Sequence, residues 1–246
     1  MRGKVSRTVV PLHGIILLTG APGTGKPKLA KGLANEPAKL LRSKVTYLEV
    51  EPHSLASSAH GKTQRAVSEL FKTTIAEHAM EGPTIVLLDE VETILVDRAK
   101  LSMDANPIDV HRATDAALVA LDHLAASYPN LLILATSNYP KAIDEAFVSR
   151  CDAVVELPLP DAAAAEEILR DTLRGLAKTY PSLQNLAGSH GIGALARECR
   201  GLDGRQIRKA VGAGCAMSRE TAVNPGLLTE LHLQKAISKA KRGQFK

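Results

Sequence analysis

Residues 15–27, IILLTGAPGTGKP, set a five-residue apolar run directly before a glycine-rich turn that ends in a lysine. An apolar run without alternation suits a strand buried on both faces, and such strands belong to parallel sheets covered by helices. The turn then opens a segment of helical character, KLAKGLA at 28–34. Strand, glycine turn and helix in that order commit the chain to an α/β architecture.

The rest of the first 160 residues repeats the pattern. VTYLEV (45–50), TIVLLD (84–89), LLILATS (131–137) and AVVEL (153–157) read as four more strands. Between them lie helical stretches. Val67, Leu70, Phe71 and Ile75 share a face over 62–79, as do Leu118, Leu121 and Ala125 over 110–127. After LPLPD (157–161) the strand pattern stops, and 162–178, 191–199, 204–220 and 229–241 read as helices. The expectation is a five-stranded parallel α/β domain over 1–160, followed by a small all-helical domain over 161–246.

Composition narrows the class. At 246 residues, 45% hydrophobic and 23% charged, the chain has the profile of a soluble globular protein. Its net charge of +5 gathers in KAISKAKRGQFK, 235–246. A solvated helix end accounts for that run, with an acidic partner as the alternative. There is no Trp and aromatics total 3%, which argues against a base-stacking platform, so nucleic acid is not the expected partner. Cys151, Cys199 and Cys215 form no C-x-x-C pair, so reduced thiols in a cytoplasmic protein are expected rather than zinc or disulfides. Arg2, Lys4 and Arg7 ahead of VVPLHGIILLTGA imitate a signal peptide, but Pro11, His13 and Gly14 interrupt the apolar stretch, and cleavage would destroy the glycine turn. No apolar run approaches the roughly 18 residues of a membrane span.

The chemistry starts at GAPGTGKP. Gly20, Gly25 and Lys26 satisfy G-x-x-x-x-G-K, with Ala21, Pro22, Gly23 and Thr24 filling the loop. Backbone N–H groups of such a loop approach phosphates, the helix N-terminus favours their charge, and Lys26 reaches the β/γ oxygens. Position 27 holds Pro where a Ser or Thr hydroxyl would meet the nucleotide's Mg2+. IVLLDEVE ends an apolar strand in Asp89 and Glu90, one carboxylate for the metal and one to polarise an attacking water. Asn138 stands just past LLILATS, where it can orient that water or simply cap a turn. Arg150 follows a short helical stretch, and Arg205 opens another helix.

In this order the parts resemble an AAA+ ATPase core: Walker A (20–27), Walker B (85–90), sensor 1 (Asn138), arginine finger (Arg150) and sensor 2 (Arg205). The chain is most similar to the bacterial branch of the pachytene checkpoint protein 2 / thyroid receptor interacting protein 13 family. EPHSLASS, LLDEVE ending in Glu92, ANPIDVHRATDAAL, ATSNYPKAIDEAFVSRCD and GLDGRQIRKA carry the similarity. The resemblance implies ATP and Mg2+ as ligands, a hexamer, and a HORMA-domain protein as the partner that is partly unfolded. In bacteria it implies a HORMA protein that controls a cyclic-oligonucleotide anti-phage system.

This chain departs from the family in three places. Only 14 residues precede the first strand, so no N-terminal substrate-recruiting domain is expected and the segment lining the adenine pocket is short. The pore-loop position, SLASSAHGK (54–62), has no aromatic; His60 is a substitute or an ordinary surface histidine. Third is Pro27. Proline fits the first turn of a helix, but it removes the hydroxyl and one N–H. Losing a charge-assisted bond of roughly 1.5–3 kcal/mol weakens ATP about ten- to a hundredfold and disturbs catalysis more than binding. The expected function is an ATP-dependent remodeller of a protein partner, impaired by Pro27. The alternatives are a nucleotide-responsive binding module that does not hydrolyse, and a clamp-loader or initiator-like ATPase acting on DNA.

Overall fold

The computed structural model describes residues 5, 8–50, 62–97 and 107–243. The pore-loop segment at 54–62, His60 included, lies outside the described residues but for Lys62. So do EPHSLASS and the first residues of ANPIDVHRATDAAL.

The chain divides into two compact units, one formed by residues up to Gly20 together with Lys26–Leu157, the other by Ala21–Gly25 together with Pro158–Lys246. The first holds β1 (Ile15–Thr19), α1 (Lys26–Leu41), β2 (Thr46–Val50), α2 (Lys62–Glu69), α3 (Ala76–Glu81), β3 (Thr84–Leu88), α4 (Pro107–Ser127), β4 (Leu131–Ser137), α5 (Glu145–Val148) and β5 (Ala153–Glu156). The five strands form one parallel sheet in the order β2-β3-β4-β1-β5. Every residue of β3 is buried, which explains why TIVLL shows no alternation.

Neighbouring residues of each inner strand serve opposite faces. Ile15, Leu17, Val86, Leu88, Ile133 and Ala135 join one core with Phe71, Leu121 and Leu124. Leu18, Ile85, Leu87 and Leu134 meet Ala30 and Ala34 of α1 on the other. Strand β5 differs: it pairs only with β1, and all four of its residues are exposed.

The helix expected over 62–79 runs to Glu81 and contains an unexpected turn. Between α2 and α3, Leu70–Ile75 is a π-helical turn. Val67, Phe71, Ile75 and Ala79 are all buried although they recur every four residues. At 100° per residue an α-helix drifts about 40° with each four-residue step. The wider π turn takes up that drift and keeps the stripe on the sheet.

The second unit is helical: α6 (Ala162–Ala177), α7 (Leu183–Gly188), α8 (Gly191–Glu198), α9 (Gly204–Cys215), α10 (Arg219–Val223) and α11 (Glu230–Lys241). Leu169, Leu173, Ile192, Ile207, Val211, Leu233 and Ile237 share its core. Asp161 begins α6 by accepting from the Ala164 N–H. The continuous helix expected over 204–220 stops at Cys215, and a new one starts where Ser218 and Thr221 form a capping box. Helix α7 had no counterpart among the expected helices. Among the described residues no helix is long and apolar enough to cross a membrane.

Candidate functional site

In the first unit the parallel register sets the geometry. Leu88 of β3 pairs with Ala135 of β4, so the residues following each strand emerge side by side. The Thr136 hydroxyl donates a short hydrogen bond to Asp89 Oδ1 and accepts from the Glu90 N–H at 3.2 Å. Thr136 and Ser137 are fully buried, so this support is rigid. Glu90 sits in the left-handed region at φ 53, ψ 52, uncommon for a non-glycine residue. That turn leads into a 3-10 turn, Val91–Thr93.

Asn138 is bound at two points. Its Nδ2 donates to Glu90 Oε1 at 3.0 Å, and its backbone N–H donates to Glu92 Oε1 at 3.1 Å. A carboxylate can only accept, so the amide nitrogen faces Glu90 and Oδ1 is left as an acceptor. Asp89, Glu90 and Asn138 are therefore brought together, joined by Thr136 and Glu92. A concavity of about 430 Å³ borders Asn138, lined by Val96, Asp97, Tyr139, Pro140, Lys141 and Ala142.

Lys26 is buried at the start of α1, and its Nζ donates to the Gly20 carbonyl at 2.8 Å. Pro27 is the second residue of that helix, a position that needs no N–H donor within it. It offers no side-chain oxygen.

Arg150 follows α5, which Asp144 caps. Its guanidinium is not directed at Glu90 or Asn138. It grips Asp122 of α4 as a fork, Nε to Oδ1 at 2.9 Å and Nη2 to Oδ2 at 2.8 Å, and Nη1 donates to the Ala146 carbonyl. The Asp122 bonds hold the guanidinium above its usual range, against the opposing effect of burial. His13 Nε2 also lies 3.5 Å from Asp122. Next along the chain, burial pushes the Cys151 thiol up to about 12.

The second unit holds the rest of the loop. Gly23 and Gly25 have φ of 82 and 90, open to glycine and strained for other residues. A Cβ on Gly23 would also lie 2.2 Å from Asp203 Oδ1, whereas one on Gly25 would meet nothing within 4 Å. The Thr24 hydroxyl donates to the Ala21 carbonyl at 2.9 Å. Asp203 caps α9 through a capping box with Gln206, which puts the loop tip beside that helix's start. Arg205, the second residue of α9, is exposed.

Sequence reasoning missed Thr136, Asp122, Asp203 and the hydrogen bond of Glu92. Asp203 alone had a local signal, an Asp three residues before Gln206.

Residues 16–159 match the family described as ATPase family associated with various cellular activities (AAA). CD-NTase-associated protein 6 of Pseudomonas aeruginosa is 58% identical over 243 residues, covering 98% of this chain and 80% of that protein. A pachytene checkpoint protein 2 homolog of Oryza sativa subsp. indica is 34% identical over 239 residues, covering 83% of this chain and 50% of that protein. The chain thus spans about half the length of that eukaryotic relative. Among solved structures, Caenorhabditis elegans PCH-2 superposes with a TM-score of 0.75 at 26% identity, covering 98% of this chain and 64% of that one. A chain of the E. coli MS115-1 HORMA:CdnC:Trip13 complex gives a TM-score of 0.73 at 17% identity, a likeness of fold alone, over 95% of this chain and 76% of that one.

Proposed function

This chain belongs to the AAA family of ATPases, on the branch that holds the pachytene checkpoint protein 2 homologues, and from that premise we propose that it hydrolyses ATP to remodel a HORMA-domain protein. The observation that carries the hydrolytic half is the pairing of Glu90 with Asn138 at the end of the sheet. A carboxylate acts as general base when it meets an attacking water, and a neighbouring acceptor such as Asn138 Oδ1 fixes the water's second hydrogen.

Lys26 and the loop N–H groups would hold the phosphates, and Asp89, oriented by Thr136, would be the protein ligand for Mg2+. When bound, the metal neutralises charge that develops on the phosphate oxygens. Mg2+ usually keeps several waters, so the hydroxyl absent at Pro27 would loosen its positioning without preventing binding. The expected result is an ATPase of reduced rate. Arg150 serves a neighbouring subunit's site in a hexamer and Arg205 couples the helical domain to nucleotide. The assembly works in the cytoplasm.

The HORMA partner is taken from the family resemblance and from the presence of a HORMA protein in the complex of which one chain shares this fold. One observation favours a second reading, a nucleotide-responsive binder that does not turn over: Pro27 removes a metal ligand while everything else in the set is retained.

Phosphate release with magnesium and with EDTA separates the two readings. Magnesium-dependent turnover supports the first, and saturable ATP binding without turnover supports the second. Hydrogen exchange on a HORMA-domain protein mixed with the chain and ATP tests the partner. Exchange in the HORMA protein that is the same with ATP and without nucleotide would rule out remodelling.

A further inference from the structure

We propose that Glu92 is a positioning residue for hydrolysis, holding the main chain of Asn138 so that its side-chain amide stays aimed at Glu90. The inference rests on the hydrolytic reading above and adds a residue to its machinery. The left-handed turn at Glu90 and the 3-10 turn that follows fold the chain back, so two carboxylates two residues apart reach the same asparagine. Glu90 takes the side chain and Glu92 takes the backbone N–H. With one of these contacts alone, Asn138 would pivot about it. With both, its Oδ1 has one direction.

The second oxygen of Glu92 shows that packing alone does not explain the residue. Among the described residues Oε2 is buried without a hydrogen-bond partner, and Thr93 Oγ1 beside it in sequence is in the same position. Burying an unsatisfied polar oxygen is destabilising. Met fills a similar volume without that penalty. What Met cannot do is accept from the Asn138 N–H. A carboxyl group placed here at this cost fits a role in aiming the asparagine.

Two variants of the full chain separate the roles. Glu92→Met keeps the bulk and removes the acceptor; Glu92→Gln keeps an acceptor oxygen and removes the charge. In Glu92→Met, kcat should fall about tenfold while KM for ATP stays within about twofold, because the misaimed group acts on the reacting water and not on phosphate binding. The Asn138 backbone amide should exchange faster with deuterium in Glu92→Met, and Glu92→Gln should restore both readouts. Wild-type kcat in Glu92→Met, a change in KM instead of kcat, unchanged exchange at Asn138, or a Gln variant no better than Met would each overturn the assignment. Should Glu92→Met not fold, Glu92→Gln must keep kcat within about threefold of wild type, since the acceptor geometry is preserved. A larger loss overturns the clamp. A wild-type chain with no turnover sinks the hydrolytic reading and not this contact. Exchange at Asn138, measured without nucleotide, then decides the contact alone: faster in Met and restored in Gln supports it, and no difference refutes it.

Discussion

The phosphate loop and the ends of strands β3 and β4 are held by opposite means. The loop takes its shape from the backbone, with Gly20, Gly23 and Gly25 all at positive φ, and its side chains turn back onto its own carbonyls, Thr24 to Ala21 and Lys26 to Gly20. The strand ends take theirs from side chains: Thr136 supports Asp89 and Glu90, and Glu90 and Glu92 fix Asn138. A backbone-built site is sensitive to what a residue cannot adopt. A side-chain-built site is sensitive to what it can no longer bond. Pro27 is informative because it satisfies the first demand and fails the second: it suits the helix start and carries no oxygen.

The largest effect should come at the strand ends. Glu90→Gln should lower phosphate release by at least about 100-fold while ATP binding persists, since an amide cannot take the water's proton. A loss under threefold in the same assay would mean the base lies elsewhere.

Pro27→Thr tests the loop's one side-chain deficit. It should raise turnover about tenfold, or ~1.4 kcal/mol of barrier. It should also tighten magnesium nucleotide more than metal-free nucleotide, as calorimetric titrations with and without EDTA would report. Equal, high rates in the two proteins would make the loop indifferent to the missing ligand.

The glycines sharpen the comparison further. Gly25→Ala should weaken ATP through backbone strain alone, about 1–2 kcal/mol. Gly23→Ala should cost more, because its methyl also collides with Asp203. Shortening Asp203 to Ala should relieve part of the Gly23→Ala defect and none of the Gly25→Ala defect, read by titration across the double-mutant cycle. Equal relief of both would show that the Asp203 contact does not matter in solution.

The smallest effect concerns Cys151. Burial raises its thiol from 9.0 to about 12, so iodoacetamide at pH 8 should leave it unmodified in the folded chain and label it after denaturation. The folded state therefore keeps the proton between pH 9 and about 12 while the unfolded chain loses it. The stability tied to this proton is present below pH 9 and is lost as pH rises through that window.

Much of this was legible in the sequence because the signals are local. IILLT, TIVLL and LLILATS declare buried strands without reference to any other segment, and the glycine loop carries its own spacing. The supports were not legible because they are distant in the chain. Asp122 and Arg150 are 28 residues apart, and Glu92 and Asn138 are 46 apart. Nothing about an aspartate inside a helix announces the arginine it will bind. The expected helix over 204–220 failed for a different reason: the Ser218–Thr221 capping box restarts the helix where apolar periodicity alone would carry it on. Similarly, apolar residues four apart at Val67, Phe71 and Ile75 look the same whether the helix between them is α or π.

That π turn makes the segment tolerant of a change in length. Shortening Leu70–Ile75 by any one residue would let the helix run as a regular α-helix from Lys62 to Glu81. The parts before and after the turn would stay in register, because Val67 and Ile75 would then be seven residues apart and within about 20° of two full turns. Val67 and Ile75 would both keep their places in the core, joined by a helix one residue shorter. Relatives that lack a residue here can therefore bury the same positions on either side of the turn, and an alignment that slides the gap elsewhere in this stretch would pair residues about 100° apart around the helix.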